Sequence, residues 1–449
     1  MKIIIAGAGE VGFHLAKLLS YESQEITLID IDKDSLAYAD THLDIKVIRG
    51  DATSRAILKD ARIEDSELFI AVTASETTNI TACVLAKQLG SDKTIARITN
   101  PEFIRHKDEL GFTKLGIDEL ISPESLAASE IEVSLKQSSF KDAYEFEDGA
   151  LKMAGLVLSS QALFVGKTVK EAAKIFPEIH FVPIAIQRFG AQNTIIPRGD
   201  TVFQKGDTVV FITTEDGGEE LCRLTGKANR DIKNVMVLGG SKIGYKTSRE
   251  LAEKGINVKL FVENKERAFD FADDLPKVLV LHGDGKNVDL LEEENISDMD
   301  AFIAVGENSE TNIMSCLVAK SKNVKKTVAL VENMDYFELS QSVGISTLIN
   351  KKLLAANTIF RYIRKGEVVA MTKLNNMNAE LLEFEVKASS AICNKYIKKL
   401  DFPRSAIIGG VIRDGVGQIA LGDFKIRKGD LVVVCSLLQS IKGVEKLFR

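Results

Sequence analysis

Gly7, Gly9 and Gly12 stand in the order G-x-G-x-x-G within Gly7-Ala8-Gly9-Glu10-Val11-Gly12, directly after the apolar run Lys2 to Ala6. Glycine at the first position permits a tight strand-to-helix turn. At the second it lets an anion approach the backbone, and at the third it lets helix and strand pack closely. The chemistry this spacing serves is pyrophosphate binding, because the first N–H groups of a helix are unpaired and lie at the positive end of its dipole. Asp30 ends the next apolar run, 18 residues after Gly12. A carboxylate there accepts hydrogen bonds from both ribose hydroxyls and repels a 2′-phosphate, which favours NAD or an adenosine nucleotide over NADP.

Further candidates end the later apolar runs, at the edge where open parallel sheets bind ligands. Asp51 and Ala52, in Arg49-Gly50-Asp51-Ala52-Thr53, would edge the adenine, and Val72, Thr73 and Ala74 would lie beneath the ribose. Arg97, in Ala96-Arg97-Ile98, is a cation in an apolar stretch. It needs an anionic partner there, either a phosphate or a carboxylate such as Asp51.

Catalytic residues are harder to find. None of the histidines, His14, His42, His106, His180 and His282, stands in a recognisable pairing with Asp or Ser, and the chain has no G-K-[ST], H-E-x-x-H or G-x-S-x-G motif. No catalytic residue is therefore expected, with an NAD-dependent oxidoreductase of unknown substrate as the alternative reading. The cysteines (Cys83, Cys222, Cys316, Cys393, Cys435) form no C-x-x-C pair, so neither a disulfide framework nor a metal site is expected, and a reducing cytoplasm is the default.

The glycine-rich turn recurs. Lys2 to Gly12 matches Asn234 to Gly244 at a displacement of 232, which sets Gly239, Gly240, Ser241, Lys242 and Ile243 on Gly7, Ala8, Gly9, Glu10 and Val11. At a displacement of 233, Asp30 pairs with Glu263, Asp51 with Asp284, Phe69 to Val72 with Phe302 to Val305, Thr78-Asn79-Ile80 with Thr311-Asn312-Ile313, and Arg97 with Leu330. Register held over this length indicates duplication. The second copy has lost the close-approach glycine and the cation, but Lys242 is placed to pair with a terminal phosphate. The expectation is NAD(H) at the first site, and at the second either weak NAD(H) binding, a vestigial site, or a shift toward ATP or ADP.

The elements that must position these residues follow from the pattern. Each copy alternates short β-branched runs with helix-period segments, the signature of a parallel sheet covered by helices. Strands are expected at Lys2 to Ala6, Ile26 to Asp30, Lys46 to Arg49, Leu68 to Val72, Thr94 to Ile98 and Glu119 to Ile121, and at the matching places of the second copy. Each copy is followed by a strand-rich stretch in which a Lys-Gly-Asp turn (Lys205-Gly206-Asp207, Lys428-Gly429-Asp430) precedes an apolar strand. Glycine supplies the left-handed position of such a turn, and aspartate a side chain that bonds the turn backbone. The fold class is thus α/β, with two Rossmann-like doubly wound parallel-sheet domains, each followed by a small strand-rich α+β domain. The expected divisions are 1–138, 139–228, 229–365 and 366–449.

Composition agrees with a folded chain of several domains: 449 residues, 45% hydrophobic and 27% charged, with no disorder-like segment. The net charge of −6 comes without a basic stripe, so nucleic acid is not an expected partner. No apolar run approaches the roughly 18 residues that a membrane span needs, so no direct membrane insertion is expected.

The motifs Gly7-Ala8-Gly9-Glu10-Val11-Gly12, Leu28-Ile29-Asp30, Gly50-Asp51-Ala52-Thr53 and Ala96-Arg97-Ile98, with the alternation of Rossmann and small units, resemble the TrkA family. These are peripheral regulatory subunits of bacterial Trk potassium uptake systems, built from tandem RCK domains. The resemblance spans essentially the whole chain, and the second copy departs from the pattern at Ser241 and Leu330. It implies a cytoplasmic, non-enzymatic, nucleotide-sensing subunit that gates potassium flux from the inner face of the cell membrane. It further implies a TrkH-type membrane transporter as partner, assembly as a homotetramer with eight Rossmann units in a ring, and small units that bind ligands or dimerise.

Overall fold

The computed structural model describes residues 1–20, 24–136, 142–175, 180–191, 193–214, 217–225, 232–333, 336–337, 340, 344–363, 370–374 and 377–449. The expected divisions near 138, 228 and 365 lie outside the described residues.

The first unit alternates β1 (Lys2–Ala6), α1 (Glu10–Ser20), β2 (Glu25–Asp30), α2 (Lys33–His42), β3 (Lys46–Arg49), α3 (Arg55–Asp60), β4 (Leu68–Ala71), α4 (Glu76–Gln88), β5 (Thr94–Arg97), α5 (Pro101–Arg105), β6 (Glu119–Ile121) and α6 (Pro123–Lys136). The strands pair in parallel in the order β3-β2-β1-β4-β5-β6. Successive side chains of β1 face opposite sides. Ile3 and Ile5 enter one apolar cluster with Leu15 and Leu19 of α1, while Ile4 and Ala6 enter another with Phe69, Ala82 and Cys83. A central strand covered by helices on both faces reads as an unbroken apolar run for this reason. The order reverses between β1 and β4, which opens a crevice at their C-terminal ends.

A second small sheet follows each parallel one. The first contains β7 (Asp142–Phe146), β8 (Leu151–Val157), β9 (Phe181–Gln187), β10 (Thr194–Ile195) and β11 (Thr208–Thr214), antiparallel, with α7 (Val169–Ile175) and α8 (Gly217–Leu224) beside it. The second Rossmann unit repeats the first: β12 (Asn234–Leu238), α9 (Lys242–Glu253), β13 (Asn257–Val262), α10 (Lys265–Asp274), β14 (Val278–His282), α11 (Val288–Glu293), β15 (Ala301–Ala304), α12 (Ser309–Ser321), β16 (Lys326–Leu330), β17 (Thr347–Ile349) and α13 (Lys351–Ile363). Its strands run β14-β13-β12-β15-β16-β17. The last small sheet holds β18 (Ala370–Lys373), β19 (Ala379–Glu385), β20 (Ala406–Arg413), β21 (Val416–Gln418) and β22 (Leu431–Leu437), before α14 (Ile441–Phe448). The expected strands are all present, with ends that shift by at most one residue.

The final helix of each Rossmann unit is packed in the other unit. Ala127, Ile131 and Leu135 of α6, spaced four apart and hence on one stripe, are buried in the second unit's core with Val235, Ile243 and Leu251. Ala355, Ala356 and Ile359 of α13 are buried in the first unit's core with Leu15 and Leu19. Ile131→Ala is expected to cost about 2–5 kcal/mol, the usual range for truncating a buried isoleucine. Because Ile131 fills the opposite unit's core, faster amide exchange should appear in α9 and β12; faster exchange confined to residues 1–121 would contradict this packing.

The two small sheets share one core, in which Leu151, Met153, Ile184 and Ile212 meet Leu381, Ile412, Val433 and Cys435. Close approach depends on Gly417, where a Cβ would lie 1.9 Å from the carbonyl oxygen of Ala150. Arg198 also crosses between them, donating from Nη2 to the carbonyls of Arg404 at 2.8 Å and Ala406 at 2.9 Å. The Lys-Gly-Asp turns are built as expected, with Gly206 at φ 85° and Gly429 at φ 83°. Asp207 accepts the N–H of Gln204 at 2.8 Å and Asp430 that of Arg427 at 2.7 Å. Each aspartate is also buried against an arginine, Arg188 or Arg413, that the turn motif does not contain.

Among the described residues no helix is long and apolar enough to cross a membrane, and no group of three His, Cys, Asp or Glu side chains could hold a metal ion.

Candidate nucleotide sites

At the first site β1 runs into Gly7, whose φ of 110° is open to glycine and strained for other residues. A Cβ on Gly12 would lie 1.8 Å from the carbonyl oxygen of Gly7, so the start of α1 sits directly on the turn. Gly9, by contrast, would meet nothing within 4 Å. The backbone here faces open space, and the residue before α1 has no side chain to cap the helix's first N–H groups. A phosphate fits that cradle. Ala8 and Val11 are buried beside it, and Glu10 is exposed.

Asp30 ends β2 and braces the same turn. Its Oδ2 accepts the Ala8 N–H at 2.5 Å and its Oδ1 the Asp32 N–H at 2.8 Å. A carboxylate offers about four lone-pair sites, so acceptors remain for ribose hydroxyls. Asp51 shapes its own turn, accepting both the N–H and the hydroxyl of Thr53 at 2.8 Å, and these bonds hold its carboxyl below the usual range. Ala52 is buried next to it.

Val72 is buried, and Thr73 and Ala74 form the turn into α4. Asn79, which sequence reasoning noted only as part of a repeat, organises this edge. It accepts the Thr73 N–H at 2.9 Å and donates to the carbonyl of Arg97 at 2.9 Å, tying the end of β4 to that of β5. Asn312 does the same between Gly306 and Leu330. The repeated Thr-Asn-Ile was the available signal.

Arg97 does not meet Asp51. The strand order sets β3 four strand spacings from β5, about 19 Å. The carboxylate at Arg97 is Glu124, in the first turn of α6, with Nη2 to Oε1 at 3.6 Å. Arg97 Nε and Glu124 Oε2 are both buried without a hydrogen-bond partner.

The second site has the same turn and a different surface. Gly239 has φ 126°, and a Cβ on Gly244 would lie 2.0 Å from the Gly239 carbonyl oxygen. Ser241, in the place of Gly9, caps α9 itself: its Oγ accepts the Gly244 N–H at 3.2 Å and donates to the carbonyl of Val305 at 2.7 Å. An anion arriving here competes with that hydroxyl.

Strand register also corrects the pairing of Asp30 with Glu263. Ala6 pairs with Ile29 and Leu238 with Phe261, while the Gly50 N–H bonds the Asp30 carbonyl as the Gly283 N–H bonds that of Val262. The counterpart of Asp30 is therefore Val262, and Glu263 stands exposed one residue beyond. The extra residue that moves the displacement to 233 enters between α10 and β14. Val262 is 1% exposed, and its Cγ1 would lie 2.7 Å from a Cβ on Gly240, so it closes over the position that Ala8 holds in the first copy. Asp284 accepts the Lys286 N–H at 2.9 Å, a local turn like that of Asp51. Ile243 is buried in the core.

Lys242 has an opposite charge from the first unit near it. Burial opposes ionisation of Glu76, but hydrogen bonds from the Thr99 and Asn100 N–H groups and the Thr99 hydroxyl, with Lys242 nearby, hold its carboxyl below the usual glutamate range. A depressed folded-state pKa means that this stabilisation is present above the ordinary glutamate pKa and is lost as pH falls through the lowered one. Amide protection of Thr99 and Asn100 is expected to drop over that acid interval. In Glu76→Gln the drop should vanish; its persistence would assign it to another group.

The histidines are engaged locally where their contacts are defined: His42 stacks on Tyr38 and His106 pairs with Glu109 at 2.9 Å.

Two family models match the chain, each twice: the TrkA-N domain at residues 3–123 and 235–351, and the TrkA-C domain at 153–226 and 381–449. A Trk system potassium uptake protein TrkA of Halomonas elongata is 32% identical over 454 residues, covering 100% of this chain and 99% of its own length. A TrkA homolog 2 of Methanosarcina mazei is 31% identical over 457 residues, covering 100% of both. Among solved structures, the GsuK channel bound to NAD superposes with a TM-score of 0.63 at 16% identity, covering 100% of this chain and 78% of that one, a likeness of fold. With both domain models repeated in tandem and full-length similarity to proteins of that name, the chain belongs to the TrkA family.

Proposed function

We propose that the chain is the nucleotide-sensing regulatory subunit of a potassium uptake system, reading NAD(H) at its first Rossmann unit. The observation that carries this reading is the uncapped, open cradle at Gly9 beside a strand-end carboxylate, Asp30. Relatives over the full length are Trk potassium uptake proteins, and the GsuK channel that shares the fold was solved with NAD. The second site, with Ser241 on its helix start and Val262 in the ribose position, is the weaker for NAD(H). Lys242, in the place of Glu10, is the cation there for a terminal phosphate of ATP or ADP.

In this reading the subunit works without catalysing a reaction, as a homotetramer on the cytoplasmic face of a TrkH-type transporter. Its four units per chain divide near residues 138, 228 and 365. A nucleotide shifts the gate only by binding its conformations with different affinity. Purified chain should bind NADH without consuming it, co-purify with the cell's potassium transporter, and change potassium flux when NAD, NADH, ADP or ATP is added. Failure to associate would remove the transport role, and NADH turnover with a small substrate would favour an oxidoreductase instead.

A further inference from the structure

A lysine of the second Rossmann unit ends at the mouth of the first site. Lys352 lies in the first turn of α13, the helix whose body is buried in the first unit's core. Its Nζ is 2.6 Å from Glu10 Oε2, 3.2 Å from the carbonyl oxygen of Glu332 and 3.9 Å from Glu332 Oε2. The Lys352 side chain is only 11% exposed, whereas that of Glu10 is 72% exposed. An ammonium this buried is costly unless acceptors surround it. Glu332 already has Lys351 at 2.5 Å, so the acceptor that distinguishes Lys352 is the one across the unit boundary.

Glu10 immediately follows Gly9, over which the backbone is open. Alone, its carboxylate would repel a pyrophosphate in that cradle. Lys352 cancels this charge and adds an N–H donor at the same place. The first unit makes no matching loan: Glu124, which follows β6 as Lys352 follows β17, turns back to its own unit's Arg97. At the second site the residue in Glu10's place is Lys242, and the opposing charge is Glu76.

We propose that Lys352 is a nucleotide-binding residue of the first site, supplied by the second Rossmann unit, and that a dinucleotide pyrophosphate at Gly9 is held by both units together. The proposal rests on the reading of the first site as an NAD(H) site. By linkage, whatever strengthens NADH binding through Lys352 must equally strengthen the docking of α13 on α1.

The test uses full-length chain and NADH itself, with affinity read by calorimetry and the helix at 351–363 followed by hydrogen exchange. In the wild type, NADH should slow exchange in that helix. Lys352→Ala should weaken NADH by about 30-fold, the lower end for truncating one partner of a hydrogen-bonded charge pair because Glu10 is exposed, and should abolish the protection even at saturation. Lys352→Arg should recover most of the affinity. Glu10→Gln should tighten binding several-fold, since it removes the repelling carboxylate and frees Lys352 for phosphate. Lys352→Ala within twofold of wild type would overturn the proposal, as would a loss in Glu10→Gln equal to that in Lys352→Ala, which would point to the packing of the units instead of the lysine's charge. A wild-type chain that does not bind NADH at all would overturn the reading of the site itself, and this proposal with it.

Discussion

Asp30→Ala is expected to weaken NADH binding by about a hundredfold. A hydrogen bond to a charged group contributes about 1.5–3 kcal/mol, and each tenfold in affinity is about 1.4 kcal/mol, so losing two ribose contacts corresponds to two decades or more. The substitution also removes the 2.5 Å bond to the Ala8 N–H that braces the glycine turn. Asp30→Asn retains one acceptor oxygen and should lose about tenfold, since the contacts are then no longer charge-assisted. The second site offers the reciprocal experiment. Ser241→Gly frees the start of α9, and Val262→Asp supplies the missing carboxylate with the Gly240 N–H in the position that Ala8 offers Asp30. The double variant should bind a second equivalent of NADH, most clearly in titration calorimetry. Unchanged affinity in Asp30→Ala would remove the carboxylate from the site.

Asp430→Ala should cost about 3 kcal/mol of stability, the lower end of the range for breaking a buried charge pair, because Arg413 is partly exposed. Asp430 is 1% exposed and accepts from Arg413 Nε at 2.7 Å, Arg413 Nη2 at 2.8 Å and the Arg427 N–H at 2.7 Å. Donation to Asp430 is the main cause that raises the Arg413 guanidinium above its usual pKa. Alanine would strand that guanidinium against the Phe424 ring, 4.9 Å away, and leave a turn N–H unpaired. The urea midpoint should fall, with β22 losing amide protection first. Asp430→Asn keeps the shape and the Arg427 bond and should lose less; equal losses in the two variants would show that charge has no part in the turn's stability.

The contrast between these sites shows what kind of information a chain carries locally. The strands, the alternation of Ile3 and Ile5 against Ile4 and Ala6, the glycine turns and the Lys-Gly-Asp turns were all legible, because each is set by backbone sterics and by which face of a short element is apolar. Asn79 and Asn312 were visible as a repeat, but their work, clamping adjacent strand ends, depends on strand neighbours far apart in sequence. The Asp30 and Glu263 pairing failed because one inserted residue lies between α10 and β14. Chemical similarity of two acids concealed a slip that only hydrogen-bond register exposes.

Sequence by itself determined the tandem Rossmann organisation, the glycine turn at Gly7 to Gly12 and the replacement of its second glycine by Ser241 in the second copy. Tertiary structure alone decided that Arg97 answers Glu124, that Asp207 and Asp430 are buried against Arg188 and Arg413, that α6 and α13 exchange units, and that Lys352 reaches Glu10. Periodicity states that a helix has an apolar stripe, but not which stripe it meets. That choice minimises exposed apolar area over the whole chain, and the charges carried on those helices are brought together as a consequence.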